Sequence, residues 1–469
     1  MGETRSVTVP ERNEIEEKYK WRLEDLYPSP TAWDEEARCI ESAIENLRET
    51  SATLTSSAQS LLKGLQMRDE IAERLGKLYA YASFKSHEDA RNLEAQAMVQ
   101  RASAVYLRFA EAVSSFVPSI LELGQDKIDR FMKEESGLEL YRVEISRIMR
   151  LKEHVLSYEG EKLLAMSADI GEVPEKVFSL LTNADMKFPK IKDENGEEVE
   201  LSEERYSYFL HSKDRRVRCD AFKGLFSSYG NVKNTLSAVY LGSLKKDVFY
   251  AKARKYENTL QASLYPQNIP IVVYENAIET INRWRDPLRR YVEFKKKALN
   301  LDVMHFYDLY VPLLPEPKAH FSYDDAKKTV LEGLAPLGEE YRRVLLEAFE
   351  NRWVDVYENK GKRSGAYSWG VYGVHPYVLL NFNGTLRDVF TLGHEMGHAV
   401  HSHFTFKSQP YVYSSVSIFT AEVASTTNEI LLLEHLIKRA ADKAKGLSRK
   451  LRLGTSAYDC VQTTAFCRI

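Results

Sequence analysis

Cysteine is scarce in this sequence, at 4 of 469 residues. The four residues, Cys39, Cys219, Cys460 and Cys467, form no Cys-x-x-Cys pair and are too scattered for a disulfide framework. This spacing excludes the small disulfide-stapled folds and favours a reducing compartment. We therefore predict a cytoplasmic protein.

The sequence also lacks an excess of charge and a long apolar run. Its 65 basic and 68 acidic residues give a formal net charge of -3, so no overall field attracts nucleic acid or anionic lipid. No apolar run approaches the length of a membrane span, and Met1–Tyr19 has no apolar core of a secretory signal. We expect neither nucleic acid nor a membrane as a partner.

Proline is nearly absent from residues 32–150, which are rich in Ala, Leu, Glu, Arg and Lys. Leu61–Tyr81 and Asn92–Val113 carry apolar residues at three- and four-residue spacing, which is typical of amphipathic helices that pack on other helices. With 44% hydrophobic and 28% charged residues, the whole chain has the composition of a globular protein. Its length favours two or three packed units.

The pattern changes at residues 188–201, where two short strand-like runs flank Asn195-Gly196, a strong hairpin signal. We place a domain boundary here, which gives a helical N-terminal domain over residues 1–200 and a catalytic domain over residues 201–469. Ser202 followed by two glutamates predicts the start of another helical region, which extends to about Asn300.

A second non-helical segment covers residues 361–384 and is rich in glycine. Within it, Tyr377–Phe382 is predicted to be a strand, and Asn383-Gly384 to end it. Thr385 and Asp388 then offer a capping pair for a helix that runs to about Phe406. A strand, a turn and a helix therefore lead into the most informative motif.

Four of the eleven histidines lie between residues 394 and 403. His394 and His398 are about 40° apart on one helical face, so both imidazoles can reach one cation, while Glu395 lies about 100° round the helix. This is the His-Glu-x-x-His pattern of zinc hydrolases. It predicts one Zn²⁺ per chain, with Glu395 as the general base.

A catalytic zinc site needs a third protein ligand and an open position for water. Glu422 lies 24 residues after His398, which leaves room for a loop near Gln409-Pro410 and a second helix. The metzincin alternative would need glycine at position 401 and histidine at position 404, where this chain has His401 and Phe404. We therefore predict Glu422 as the third ligand.

Two further residues are candidates for roles near the metal. His401 shares a face with His394 but lies roughly 10 Å along the helix axis, which favours a packing or supporting role over ligation. Glu429 lies seven residues after Glu422 on the same helical face. It is a candidate to hydrogen-bond a ligand imidazole, with plain surface exposure as the alternative.

These residues resemble a known family. The matching segments are Tyr19–Tyr27, Ala253–Tyr256, Tyr307–Tyr310, Gly361–Tyr367, Pro376–Phe390, His394–His398 and Ala421–Ser425. Over roughly residues 15–440 the sequence resembles the oligoendopeptidase F family of zinc metallopeptidases, relatives of thimet oligopeptidase.

The resemblance implies a mainly α, multi-helix zincin-type fold with a deep substrate channel and a small β element next to the motif helix. It implies short oligopeptides as substrates and assigns the metal to His394, His398 and Glu422, with Glu395 as the base. It also implies that a strand beside the motif helix, here Tyr377–Phe382, pairs with the substrate backbone.

The resemblance ends near Ala440, before a segment in which family members supply His and Tyr residues to the developing oxyanion. From residue 443 the sequence becomes basic and then loses any helical pattern. We expect truncation or a frame change after about residue 440. A catalytically weak, zinc-containing peptide-binding protein is therefore the alternative function, and a helical scaffold with an accidental motif is a second one.

Overall fold

The computed structural model describes residues 8–313 and 321–443, and most of these residues are helical. The helices are α1 (Pro30–Ser51), α2 (Ala58–Glu88), α3 (Leu93–Val113), α4 (Phe116–Glu134), α5 (Arg142–Arg150), α6 (Tyr158–Leu180), α7 (Glu203–Phe209), α8 (Arg215–Asn231), α9 (Lys233–Ala253), α10 (Thr259–Leu264), α11 (Ile271–Arg283), α12 (Arg285–Ala298), α13 (Tyr323–Gly333), α14 (Glu339–Glu350), α15 (Leu386–Ser408) and α16 (Ile418–Lys443). The strands are β1 (Lys190–Lys192), β2 (Glu198–Glu200), β3 (Val354–Asp355), β4 (Tyr367–Trp369) and β5 (Tyr377–Leu379). The predicted mainly α fold is confirmed.

The N-terminal core is built mainly by α1, α2, α3 and α4, whose apolar faces pack together. Ser29, Ser57 and Asn92 each cap one of the first three helices by accepting a backbone N–H in its first turn. The helical periodicity of residues 32–150 therefore predicted these elements, because their burial follows the spacing of the apolar residues.

The predicted hairpin is present. β1 and β2 pair antiparallel, with Ile191 opposite Val199, and Gly196 in the connecting turn has a φ of +84° that favours glycine. The hairpin packs with α7 and α8 in a small core of its own. Ser202 caps α7 as expected. The domain boundary at residues 200/201 stays a prediction.

A three-stranded sheet has the order β3-β5-β4, with β3 parallel and β4 antiparallel to β5. Successive residues of β5 face opposite sides: Tyr377 and Leu379 pack in the N-terminal core, whereas Val378 and Leu380 pack in the core around α15. The sheet therefore lies between the two main cores, and the helix that carries the motif packs directly on it.

A buried ion cluster fixes the N-terminal segment to this sheet. Arg12 and Lys362 both pair with Asp355 of β3, and the side chains of Asp355 and Lys362 are at most 1% exposed. Burial alone would raise the pKa of Asp355, but the two cations outweigh it and hold the pKa below its ordinary value. Trp21 adds a hydrogen bond of 2.8 Å from its Nε1 to the Val378 carbonyl.

One stretch of the described residues, Leu93–Glu134, is long and apolar enough to span a membrane by length and composition alone. By this criterion the expectation that no stretch reaches such a length is wrong. The stretch comprises α3 and α4, its best window has a mean hydropathy of 1.2, and 33% of that window is buried. Core helices of soluble proteins pass the same test, so the absence of a membrane partner stays a prediction. The same holds for nucleic acid and for a cytoplasmic location.

Candidate metal centre

The motif helix α15 begins as the sequence predicts. Thr385 and Asp388 form a reciprocal capping box, with the Asp388 amide donating to Thr385 Oγ1 at 3.2 Å and the Thr385 amide donating to Asp388 Oδ2 at 2.8 Å. One face of the helix buries apolar residues, among them Leu392, Met396 and Ala399, against the sheet side of the core. His394 and His398 lie on the side of the helix that faces α16.

The helices α15 and α16 approach closely along a line that we call the α15–α16 seam, defined by Gly393, Gly397, Ser425 and Asn428. A Cβ atom added to Gly397 would lie 2.7 Å from the Ser425 Cα atom, so only glycine allows this approach. The Asn428 side chain donates to the Gly393 carbonyl at 2.9 Å and accepts from the Tyr341 hydroxyl at 2.9 Å. The seam places the carboxylates of α16 against the histidines of α15.

The structure brings the three predicted ligands together. The ligand atoms of His394, His398 and Glu422 all lie within 4.8 Å of one another. The two Nε2 atoms are 3.2 Å apart, and Glu422 Oε2 lies 3.6 Å from His394 Nε2 and 3.7 Å from His398 Nε2. Their side chains are between 13% and 24% exposed, so the cluster opens partly to solvent.

These distances fit a zinc ion. Two ligand atoms about 2.0–2.1 Å from one tetrahedral zinc lie about 3.3–3.4 Å apart, close to the three separations observed. Two imidazoles and one carboxylate are also a donor set typical of catalytic zinc. The residues present therefore fit the metal, although their roles as ligands stay predictions.

Polar neighbours hold two of these side chains in place. Glu429 Oε1 forms a short hydrogen bond with His394 Nδ1, which leaves Nε2 directed at the cluster. The Ser425 hydroxyl donates to Glu422 Oε2 at 2.9 Å, and Ser425 is fully buried. Glu429 was a candidate from its spacing in the sequence, whereas no sequence pattern pointed to Ser425 or Asn428. The pair Gly393 and Gly397, four residues apart, was the signal that could have indicated a close helix contact.

The remaining candidates of the motif helix are placed as follows. Glu395 is only 6% exposed and lies between the two histidines in sequence, outside the group of three donors. His401 is also outside that group, and its packing or supporting role stays a prediction. His403 stacks on Trp353 with ring centroids 5.8 Å apart, and burial lowers its pKa.

The prediction that Tyr377–Phe382 pairs with the substrate backbone is wrong. β5 is the central strand, with β3 on one edge and β4 on the other, so the backbone of Tyr377–Leu379 is already paired. The next residues are also engaged, since the Leu380 amide donates to the Asp355 carbonyl and the Phe382 amide to the Val356 carbonyl. Sequence pattern identifies a strand, but its place in the sheet depends on which other segments pair with it.

Two family models match the sequence. The model described as Peptidase family M3 matches residues 208–456, and the model described as Oligopeptidase F matches residues 119–188. The chain belongs to peptidase family M3. The match extends beyond the end at about residue 440 that the sequence analysis gave. The structure of residues 444–469, where we expect a truncation or frame change, lies outside the described residues.

Similar proteins support this assignment. The chain is 44% identical over 445 residues to Oligopeptidase PepF of Bacillus subtilis (strain 168), covering 95% of this chain and 66% of that protein. It is 39% identical to Group B oligopeptidase PepB of Streptococcus agalactiae, covering 92% and 72%. A crystal structure of oligoendopeptidase-F from Enterococcus faecium superposes with a TM-score of 0.66 at 34% identity, covering 90% and 72%. The chain thus spans about two thirds of the length of these relatives.

Proposed function

We propose that this chain is a zinc-dependent oligoendopeptidase that hydrolyses internal bonds of short peptides. The observation that carries the proposal is the convergence of His394, His398 and Glu422, with separations of 3.2–3.7 Å, beside the buried Glu395. The two relatives that match most of this chain are named oligopeptidases, which supports the choice of short peptides as substrates.

The roles of the residues follow from their chemistry. His394, His398 and Glu422 would hold the metal, and Glu429 and Ser425 would keep His394 and Glu422 oriented towards it. A bound zinc ion would supply a Lewis acid that lowers the pKa of water and polarises the scissile carbonyl. Glu395 accepts the proton of the attacking water and delivers it to the leaving amine.

The order of strands in the sheet supports a position for the substrate. β4 is paired only on its β5 side, whereas the outer side of β3 meets the N-terminal segment through the hydrogen bond from the Val356 amide to the Tyr19 carbonyl. Within the described residues, β4 is therefore the strand with an edge available for an extended peptide. We assign to Tyr367–Trp369 the main-chain pairing that the sequence analysis placed on β5. The deep channel stays a prediction.

The test is the Glu395→Gln variant. We expect zinc content to stay at one ion per chain while turnover of a short internally quenched peptide falls at least about a hundredfold, because the proton acceptor is lost. Zinc is measured on protein purified without chelator, and cleavage sites are read by mass spectrometry. The exposed Glu340→Gln variant is the matched control and should keep wild-type activity.

Three outcomes would contradict the proposal. Near wild-type turnover in Glu395→Gln would remove this residue from the mechanism. Zinc binding without turnover in the wild-type chain would favour the peptide-binding alternative. A chain that binds no zinc would favour the helical scaffold.

A further inference from the structure

An arginine lies in the loop that precedes the edge strand β4. Arg363 is exposed, its Nη1 atom donates to His87 Nε2 at 3.0 Å, and its guanidinium lies 5.7 Å from the centre of the Tyr367 ring. His87 therefore carries its proton on Nδ1, which faces the Tyr367 hydroxyl at 2.6 Å. Burial lowers the pKa of His87 to about 3, so the imidazole is neutral. Neutral groups thus hold this cation in place.

Within the part of the chain that the structure describes, the charge of Arg363 has no acidic partner. Across residues 8–313 and 321–443, no carboxylate lies within 4.0 Å of its guanidinium, and His87 is its one hydrogen-bond acceptor. Its neighbour Lys362, in contrast, is paired with Asp355 at 2.6 Å. The carboxyl group of Glu204 contacts the same loop, where it accepts the Gly365 amide, and burial raises the pKa of Glu204 to about 7. An oriented guanidinium therefore keeps donors for an anionic group.

The packing of β4 on α15 shows how far along the motif helix this strand lies. A Cβ atom added to Gly370 would lie 3.0 Å from Ser402 Cβ, so these two residues lie at the same position along the axis of α15. Strand residues advance about 3.3 Å and helical residues about 1.5 Å. The chain turns back after β5, so that α15 packs on the sheet and runs in the direction opposite to β5. Because β4 is also antiparallel to β5, α15 and β4 run in the same direction. Tyr367 is therefore level with about residue 396, between the two metal-facing histidines.

The direction of a bound peptide then decides which of its ends meets Arg363. Arg363 contacts Asn381, which lies two residues after Leu379, the β5 partner of Tyr367. Arg363 therefore lies beyond Tyr367, towards the start of α15. Asn381 fixes it there, because its side-chain amide donates to the Arg363 carbonyl at 3.1 Å. A peptide that adds antiparallel to β4 runs towards this loop, with its carboxyl end last.

We propose that Arg363 binds the free C-terminal carboxylate of the peptide, on the leaving-group side of the scissile bond. This assignment rests on the proposed function and makes the chain selective for short peptides with a free carboxyl end. A guanidinium suits the task because it donates two parallel hydrogen bonds to one carboxylate.

Binding tests the proposal without turnover. In the Glu395→Gln background, the affinity of one fluorescent short peptide is compared between its free acid and its C-terminal amide. We expect the acid to bind roughly tenfold more tightly. Adding Arg363→Gln should reduce the affinity for the acid to that of the amide and leave the amide unchanged. The matched control is Arg342→Gln on α14, which removes an exposed arginine paired with Glu339 and should keep the preference.

Equal affinities for acid and amide, no measurable binding of either, or a preference that survives Arg363→Gln would overturn the inference. Turnover of the same two peptides with Glu395 intact separates this result from the proposed function. A wild-type chain that prefers the acid in binding but cleaves neither peptide would contradict the peptidase function and leave the role of Arg363 supported.

Discussion

The bundle of α1, α2 and α3 and the α15–α16 seam are both helix contacts, but different groups hold them together. In the bundle, fully buried Ile40, Ile44 and Leu47 fill the space between helices with side-chain volume. In the seam, glycine brings the backbones together, and Ser425 and Asn428 satisfy polar groups across the contact.

The two regions should therefore tolerate substitutions to different degrees. An apolar core depends on total volume and can repack around a substitution. The seam must instead hold three donor atoms within 4.8 Å, so a small displacement of one helix acts directly on the metal centre. Substitutions of similar size should therefore affect the two regions differently.

The largest effect is expected from the same substitution made in both regions. Gly397→Ala puts a Cβ atom 2.7 Å from the Ser425 Cα atom, so the helices must move apart. We expect a loss of about 1–3 kcal/mol in the free energy of unfolding from overpacking, and about a hundredfold weaker zinc binding. Stability is measured by denaturant unfolding of the metal-free chain, and zinc affinity by competition with a fluorescent chelator.

Gly76→Ala in α2 is the control for this experiment. A Cβ atom at Gly76 meets nothing within 4 Å, and the position is helical. The free energy of unfolding should therefore rise by about 0.5–1 kcal/mol, and zinc affinity should stay at the wild-type value. Equal effects of the two substitutions would show that the seam and the bundle respond alike.

An intermediate effect is expected from Glu429→Gln. The glutamine can still accept from His394 Nδ1, but it no longer supplies the negative charge that strengthens this ligand, so zinc affinity should fall about tenfold. Chelator competition measures the change, and the metal-free chain should unfold at nearly the wild-type denaturant concentration. Glu434→Gln, an exposed position on the same helix, is the control. Unchanged affinity in Glu429→Gln would assign Glu429 to packing alone.

The smallest effect is expected from Tyr341→Phe. This change removes the hydroxyl that donates to Asn428 Oδ1 and leaves the buried Asn428 with one unpaired acceptor. The free energy of unfolding should fall by about 1 kcal/mol, with zinc affinity within a factor of three of wild type. Denaturant unfolding and chelator competition report the two quantities. A large loss of zinc affinity would mean that Asn428 positions the metal centre more directly than its contacts indicate.

Much of the local structure was predictable from the sequence. Ser202 and Thr385 each cap a helix as expected, because capping depends on a few adjacent residues. The hairpin at Asn195-Gly196 was predictable for the same reason. The side-by-side position of His394 and His398 follows from helical geometry alone.

Long-range relations were harder to predict. Glu422 was chosen by its spacing from His398, and the structure places its carboxylate in the cluster. The central position of β5 could not be read from its own residues, because it depends on hydrogen bonds to β3 and β4. Ser425 and Asn428 were missed because a small polar residue within a helix carries no sign of the group that it will contact.

Local sequence was therefore enough to predict the mainly helical fold class, the starts of α7 and α15 and the face of α15 that carries the two histidines. Three features depend instead on how distant segments pack: which strand keeps an available edge, how closely α16 approaches α15, and which buried groups orient His394 and Glu422. Periodicity and capping act within one or two helical turns, whereas these decisions rest on contacts between segments far apart along the chain.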